Sequence, residues 1–204
     1  MTTPYILVLY YSRTGHTQKM ANALCQGIEG VNGMSAMLRT VPPIRYATDP
    51  EIASPVPTTG PAYATLEELE GCSGLIIGSP THFGNMAASL KHFLDQTTNT
   101  WFNGALSNKP AACFTSTGSL HGGMESTLLS MMLPLMHHGM VICGLPYTEP
   151  ALMETQSGGT PYGASHLAGH DGSRALDQQE KTLCLALGKR VAHLAISLLD
   201  TTWL

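Results

Sequence analysis

The sequence predicts an open three-layer α/β sandwich on a parallel sheet, and three observations carry that prediction. Short continuous apolar runs recur along the chain, stripes of helical period separate them, and all of it falls within 204 residues. A short continuous apolar run marks a strand buried on both faces, as in a parallel sheet. Strands alternating with helices imply crossover units, which place helices on both sides of the sheet. Domains run to roughly 100–200 residues, so residues 1–204 read as one domain.

Taken in order, Ile6-Leu7-Val8-Leu9 is the first buried strand. Met20, Ala23, Leu24, Ile28 and Val31 then form one face of a helix. Met34 to Val41 is more mixed, as an edge strand would be, and the proline-rich stretch Pro42 to Ala64 reads as an extended loop. Leu75-Ile76-Ile77 is the third strand, followed by a helix from Asn85 to about Thr97. Ala111-Ala112-Cys113-Phe114 is the fourth, a helix follows over Met124 to His137, and Met140-Val141-Ile142-Cys143 is the fifth strand. Leu183, Leu187, Val191, Leu194 and Leu198 give the closing helix its apolar stripe. Thr148 to Asp177, rich in Gly, Ser and Thr, is too long for a plain connection and reads as a functional loop.

Charged residues make up 12%, about half of the roughly 25% usual in soluble proteins. A monomer needs a charged skin, so the deficit points to surface buried between subunits. Ten basic against fourteen acidic residues, with no basic cluster, argue against nucleic acid or an anionic membrane as partner. The 43% apolar content excludes disorder. Five cysteines (Cys25, Cys72, Cys113, Cys143, Cys184) form no CxxC and read as free thiols of a reducing cytosol. Met1 to Pro4 lacks the pattern of a signal peptide. Ser126 to Thr148 is uncharged, but Pro134, His137-His138 and Gly139 divide it into a helix and a strand. The expectation is a soluble, cytoplasmic protein.

In an open parallel sheet, ligands bind outside the carboxyl ends of the strands. After the first strand come Ser12, Arg13, Thr14, Gly15, His16 and Thr17, leading into a helix. Converging N–H groups and hydroxyls at a helix start suit a phosphate, the alternative being a plain capped helix. Neither GxxxxGK[ST] nor GxGxxG occurs, and a loop without lysine suits a phosphate that is bound once and kept. After the third strand come Ser79, Pro80, Thr81, His82, Phe83, Gly84, Asn85 and Met86. Such a loop can lay main-chain N–H groups along a planar heterocycle. The fourth strand ends in another small, hydroxylic loop, Ser116, Thr117, Gly118, Ser119, Leu120, His121, Gly122. All three belong to one edge of the sheet. His166, His170 and Asp171 lie in a glycine-rich loop without a third spaced ligand, so no metal is expected. No GxSxG occurs, and Cys113 reads as core. His137 ends a helix, where a solvated cap is the plain alternative to a ligand contact; Trp101 either caps the core or stands exposed beside a cleft.

On Tyr10-Tyr11-Ser12, Gly15-His16, Pro80-Thr81, Phe83 to Met86, Phe93 to Thr97, Trp101, Ser116-Thr117, His137 to Met140, Gly159 to Ala164 and Asp171 to Arg174, the chain resembles the flavodoxin-like quinone reductases of the WrbA type. The resemblance covers nearly the whole chain. It implies a five-stranded sheet of order 2-1-3-4-5 and FMN as cofactor. The phosphate loop would be Ser12 to Thr17, and the flavin loops Pro80 to Asn85 and Ser116 to Gly122. His137 would contact the flavin, with a possible electrostatic role, and Trp101 would line the quinone site. It also implies NADH or NADPH as donor and a homotetramer. Two positions depart from the family: Thr14 stands where a nicotinamide-contacting tyrosine is frequent, and His82 where an arginine is usual.

The expected activity is two-electron reduction of quinones by NAD(P)H through FMN, with ping-pong kinetics. The alternatives are a one-electron carrier flavodoxin and a regulatory module in which FMN is structural. Carrier flavodoxins are strongly acidic, which steers basic partners to them, and a net charge of −4 supplies no such field.

Overall fold

The computed structural model describes residues 3–44, 57, 59–199 and 201. Strands β1 (Tyr5–Tyr10), β2 (Ser35–Thr40), β3 (Gly74–Pro80), β4 (Pro110–Thr117) and β5 (Val141–Ile142) pair in parallel in the order β2-β1-β3-β4-β5. The expected order is therefore present. A sixth strand, β6 (Ala164–Leu167), also pairs with β4 in parallel. β5 takes the start of β4, at Pro110 and Ala111, and β6 takes its end, from Phe114 to Thr117. One outer position of the sheet is thus shared by two short strands.

The continuous apolar runs divide by the two-residue alternation of a strand. Ile6, Val8, Tyr10, Ile76, Ala112 and Phe114 face one side, against helices α1 (His16–Glu29) and α7 (Gln178–Leu199). Leu7, Leu9, Leu75, Ile77, Ala111 and Cys113 face the other, against α2 (Leu66–Gly71), α3 (Ala88–Asp95) and α5 (Met124–His137). Each face has its own core, which makes the three layers. α1 and α7 approach to backbone contact: a Cβ at Gly27 would lie 2.3 Å from the Leu185 carbonyl oxygen, and one at Gly188 2.3 Å from that of Leu24. No side chain fits at either position. α7 is long and apolar enough to cross a membrane, but its stripe of Leu183, Leu187, Val191 and Ala195 is buried on α1 and the sheet.

One boundary falls where expected and one does not, each for a physical reason. α5 runs through Pro134 and stops where Gly139 adopts φ 74°, its N–H bonding the Met136 carbonyl and that of Met140 the Leu135 carbonyl. This Schellman stop, rather than the proline, divides the uncharged stretch. The fifth strand shrinks to Val141–Ile142, with Val141 exposed, because β6 takes the rest of the β4 edge. The short helices α2, α4 (Thr98–Phe102) and α6 (Pro150–Glu154) carry too few residues for a legible period. Most of the extended loop expected over Pro42 to Ala64 lies outside the described residues.

All five cysteines are free; Cys72, Cys113, Cys143 and Cys184 are buried and Cys25 half-buried. Burial pushes the Cys72 thiol up to about 11 and Cys25 up to about 12, and raises Cys113, Cys143 and Cys184 as well. None is an activated nucleophile.

Candidate active site

At the carboxyl edge of the sheet the loops after β1, β3, β4 and β6 enclose a cleft of about 280 Å³. Arg13, Thr14, His16 and Thr17 line it from the first loop, Pro80 and Thr81 from the second, and Ser116, Thr117 and Gly118 from the third. In the first loop the Ser12 hydroxyl accepts a hydrogen bond from the Gly15 N–H at 3.0 Å, closing the turn. Gly15 sits at φ 89° and opens α1 without a side-chain cap, so the first-turn N–H groups have no side-chain acceptor. An anion is the natural partner of such a start.

The second loop turns sharply at Phe83 (φ 53°) and Gly84 (φ 75°), with His82 and Asn85 exchanging backbone hydrogen bonds of 2.8 and 3.1 Å. A phenylalanine at positive φ is strained, and its ring stands fully exposed at the rim. Asn85 does not face the cleft: its Oδ1 accepts from the Met86 N–H and from the Ser130 hydroxyl. Thr81 ties this loop to the third by donating to the Gly123 carbonyl at 3.2 Å and by a hydroxyl contact with Thr127. A Cβ at Gly123 (φ 100°) would meet Gly84 Cα at 2.9 Å, so only glycine lets the two loops close. In the third loop the Ser119 carbonyl accepts from the Thr117 hydroxyl and the Gly122 N–H, folding Ser119 to Gly122 into a turn beyond the cleft. Leu120 is exposed there, as is His121.

The fourth wall, Ala168, Gly169, His170, Asp171 and Gly172, comes from the long segment after β5 and was not among the expected binding residues. That segment is not a plain loop, since it contains α6 and β6. Behind the cleft His166 lies buried on β6 rather than in a glycine-rich loop, its Nδ1 2.7 Å from Glu180 Oε2 and its Nε2 3.3 Å from His16 Nδ1. Glu180 also accepts from the N–H groups of Gly158, Leu167 and Asp177. Burial pushes its carboxyl up, but the hydrogen bonds from His166, Leu167 and Asp177 outweigh burial and hold it below the usual range. Burial lowers His16, and the neighbouring His166 and Lys19 lower it further. Among the described residues no three His, Cys, Asp or Glu side chains form a metal site.

Two expected site residues lie elsewhere in the chain. Trp101 and His137 line one cavity of about 530 Å³ with His138, Thr97 and Pro134. The Asn108 N–H bonds the Gly139 carbonyl there, just before β4 begins, so this is the amino edge of the sheet. Strands rise about 3.3 Å per residue, and β4 therefore separates the two sites by roughly 20 Å. Neither residue lines the carboxyl-edge cleft of its own chain. The reason was legible: a helix that starts at the carboxyl end of β4 carries its own end back to the other edge.

Comparison with known proteins follows the same lines. A family model described as NADPH-dependent FMN reductase matches residues 4–147. The chain belongs to that family. It is similar to a protein from Solidesulfovibrio magneticus named NAD(P)H dehydrogenase (quinone), 41% identical over 92% of this chain and 95% of that one. A protein of the same name from Trichlorobacter lovleyi is 41% identical over 95% and 98%. The crystal structure of a WrbA-like flavodoxin from Agrobacterium tumefaciens superposes with a TM-score of 0.66 at 23% identity, over 95% of this chain and 98% of that one. At that identity it shows the fold, which is flavodoxin-like. The chain is thus an NAD(P)H-dependent flavin oxidoreductase, and the family match itself ends before β6 and α7.

Proposed function

We propose that this enzyme carries FMN in the carboxyl-edge cleft and uses it to reduce quinones with NADH or NADPH. The observation that carries the proposal is the convergence of three strand-end loops on an uncapped helix start. At about 280 Å³ the cleft is at or below the low end of small-molecule pockets, roughly 300–1,000 Å³. It suits a phosphate and ribityl chain, with the flat ring at its mouth. Ser12 to Thr17 would hold the phosphate, while Pro80 to Gly84 and Ser116 to Gly122 flank the ring edge. Bound FMN supplies acceptance of two electrons from a nicotinamide and their delivery to a quinone. Fixed N–H dipoles in the Ser116 to Gly122 loop would stabilise negative charge at the ring edge without reorganising.

Trp101 and His137 would reach a flavin only in another copy of the chain. Leu129, Leu133 and Met136 on α5, with Trp101 and Phe102, leave an exposed apolar surface that supports such assembly as a homotetramer. The low charge content and free thiols support a cytoplasmic enzyme with no nucleic acid or membrane partner. Steady-state rates with NADH or NADPH against benzoquinone test the reading. One ring face serving both substrates in turn gives parallel double-reciprocal lines; intersecting lines, or FAD released on denaturation, would contradict it.

A further inference from the structure

Behind the cleft three titratable side chains stand in a row: Glu180 of α7, His166 of β6 and His16 of α1, with relative exposures of 1%, 1% and 9%. The two rings meet through their nitrogen edges, centroids 5.3 Å apart and planes inclined by 32°. Glu180 accepts backbone hydrogen bonds from Gly158, Leu167 and Asp177, which marks it as ionised, so the His166 Nδ1 carries a hydrogen and donates to it. Between His166 Nε2 and His16 Nδ1 there is then room for one hydrogen.

The far edge of His16 decides the count. Gly172 stands at that edge, where a Cβ would lie 3.3 Å from His16 Nε2, and the ring lines the cleft. In a neutral pair with His16 donating through Nδ1, the remaining His16 nitrogen is a bare acceptor facing an arriving anion. With one extra proton on the pair, every position is matched: His166 or His16 becomes the cation, and His16 presents N–H outward. Other charges face the pair. Lys19 from α1 opposes an added proton; Arg13 from the first loop and Asp171 from the loop after β6 line the cleft that His16 faces, and the Asp177 N–H donates to Glu180. His170 lines the same cleft, and Arg174 packs beside Gly169.

Resting on the reading of this cleft as the FMN phosphate site, we propose that His16 and His166 take up one proton when the phosphate binds, with Glu180 holding the relay in register. The shared cation supplies what a lysine supplies in other phosphate loops: Arg13, among the described residues the one permanent cation lining the cleft, is itself solvent-exposed. His16 is the phosphate-facing residue; His166 and Glu180 are positioning residues.

The test is calorimetric titration of FMN into apoprotein at pH 8 in two non-phosphate buffers of different ionisation enthalpy. Riboflavin, which lacks the phosphate, is the control. The second phosphate ionisation lies near 6, so FMN itself takes up almost nothing at that pH. The expected result is uptake of about half to one proton per FMN and none with riboflavin. By linkage the FMN Kd then rises about three- to tenfold per pH unit above neutrality. His166→Gln should flatten that pH dependence while FMN still binds. Tight FMN binding without proton uptake by the wild-type protein, or equal uptake with riboflavin, overturns the inference alone and needs no variant. Failure of the apoprotein to bind FMN at any pH overturns the cofactor reading and this inference with it.

Discussion

Replacing Glu180 by glutamine removes one charge and exchanges an acceptor for a donor at a point where three segments meet. The carboxylate accepts from Gly158 and Leu167 through Oε1, and from Asp177 and His166 through Oε2. Glutamine keeps the first two bonds and sets its NH2 against the Asp177 N–H. Hydrogen bonds to charged groups are worth about 1.5–3 kcal/mol each, and a buried donor left alone costs about 1–3 kcal/mol. A loss of about 3 kcal/mol is therefore expected, or about 6–12 °C in Tm at 2–4 °C per kcal/mol for a chain of this size. The folded-state pKa of Glu180 is depressed, so its stabilisation is present above the unfolded value near 4.3 and is lost as pH falls through the folded one. Thermal unfolding of both proteins by circular dichroism should show the full gap from pH 5 to 7 and a narrowing gap below pH 4. A shift under about 3 °C at pH 7, or a gap that widens in acid, would refute the reasoning.

Gly188→Ala drives a Cβ to 2.3 Å from the Leu24 carbonyl oxygen. Overpacking of about 1–3 kcal/mol should outweigh the helix-propensity gain of about 1 kcal/mol, seen as a lower urea midpoint. Trp101→Ala should raise the KM for benzoquinone several-fold and leave flavin reduction by NADH unchanged. Mixing that variant with one unable to bind FMN should restore part of the activity if the tryptophan works across subunits. Thr14→Tyr should lower the KM for NADH with little effect on the quinone half-reaction. Because burial raises Cys25 to about 12 and Cys72 to about 11, a thiol reagent at pH 8 should label the native protein far more slowly than the unfolded one.

What was legible in the sequence follows the range of the interactions involved. α5 could be read to the residue because glycines at positive φ stand on both sides of it, Gly123 and Gly139. The three strand-end loops were legible because their small residues follow apolar runs. β6 was not, since Ala164-Ser165-His166-Leu167 has no apolar run, and the burial of His166 rests on Glu180, fourteen residues away. The contact of His16 with His166 spans 150 residues and has no local signature. The roles of Trp101 and His137 came from the resemblance, and strand direction places both at the edge opposite the cleft of their own chain.

The central claim is that the cleft holds a flavin which passes electron pairs from a nicotinamide to a quinone. Anaerobic stopped-flow absorbance of the FMN-loaded protein tests it most directly. Mixing with NADH or NADPH should bleach the oxidised flavin, and benzoquinone should then restore the full spectrum in a single phase. If neither nucleotide bleaches the flavin, or if the spectrum returns in two separate one-electron stages, the carrier reading holds instead.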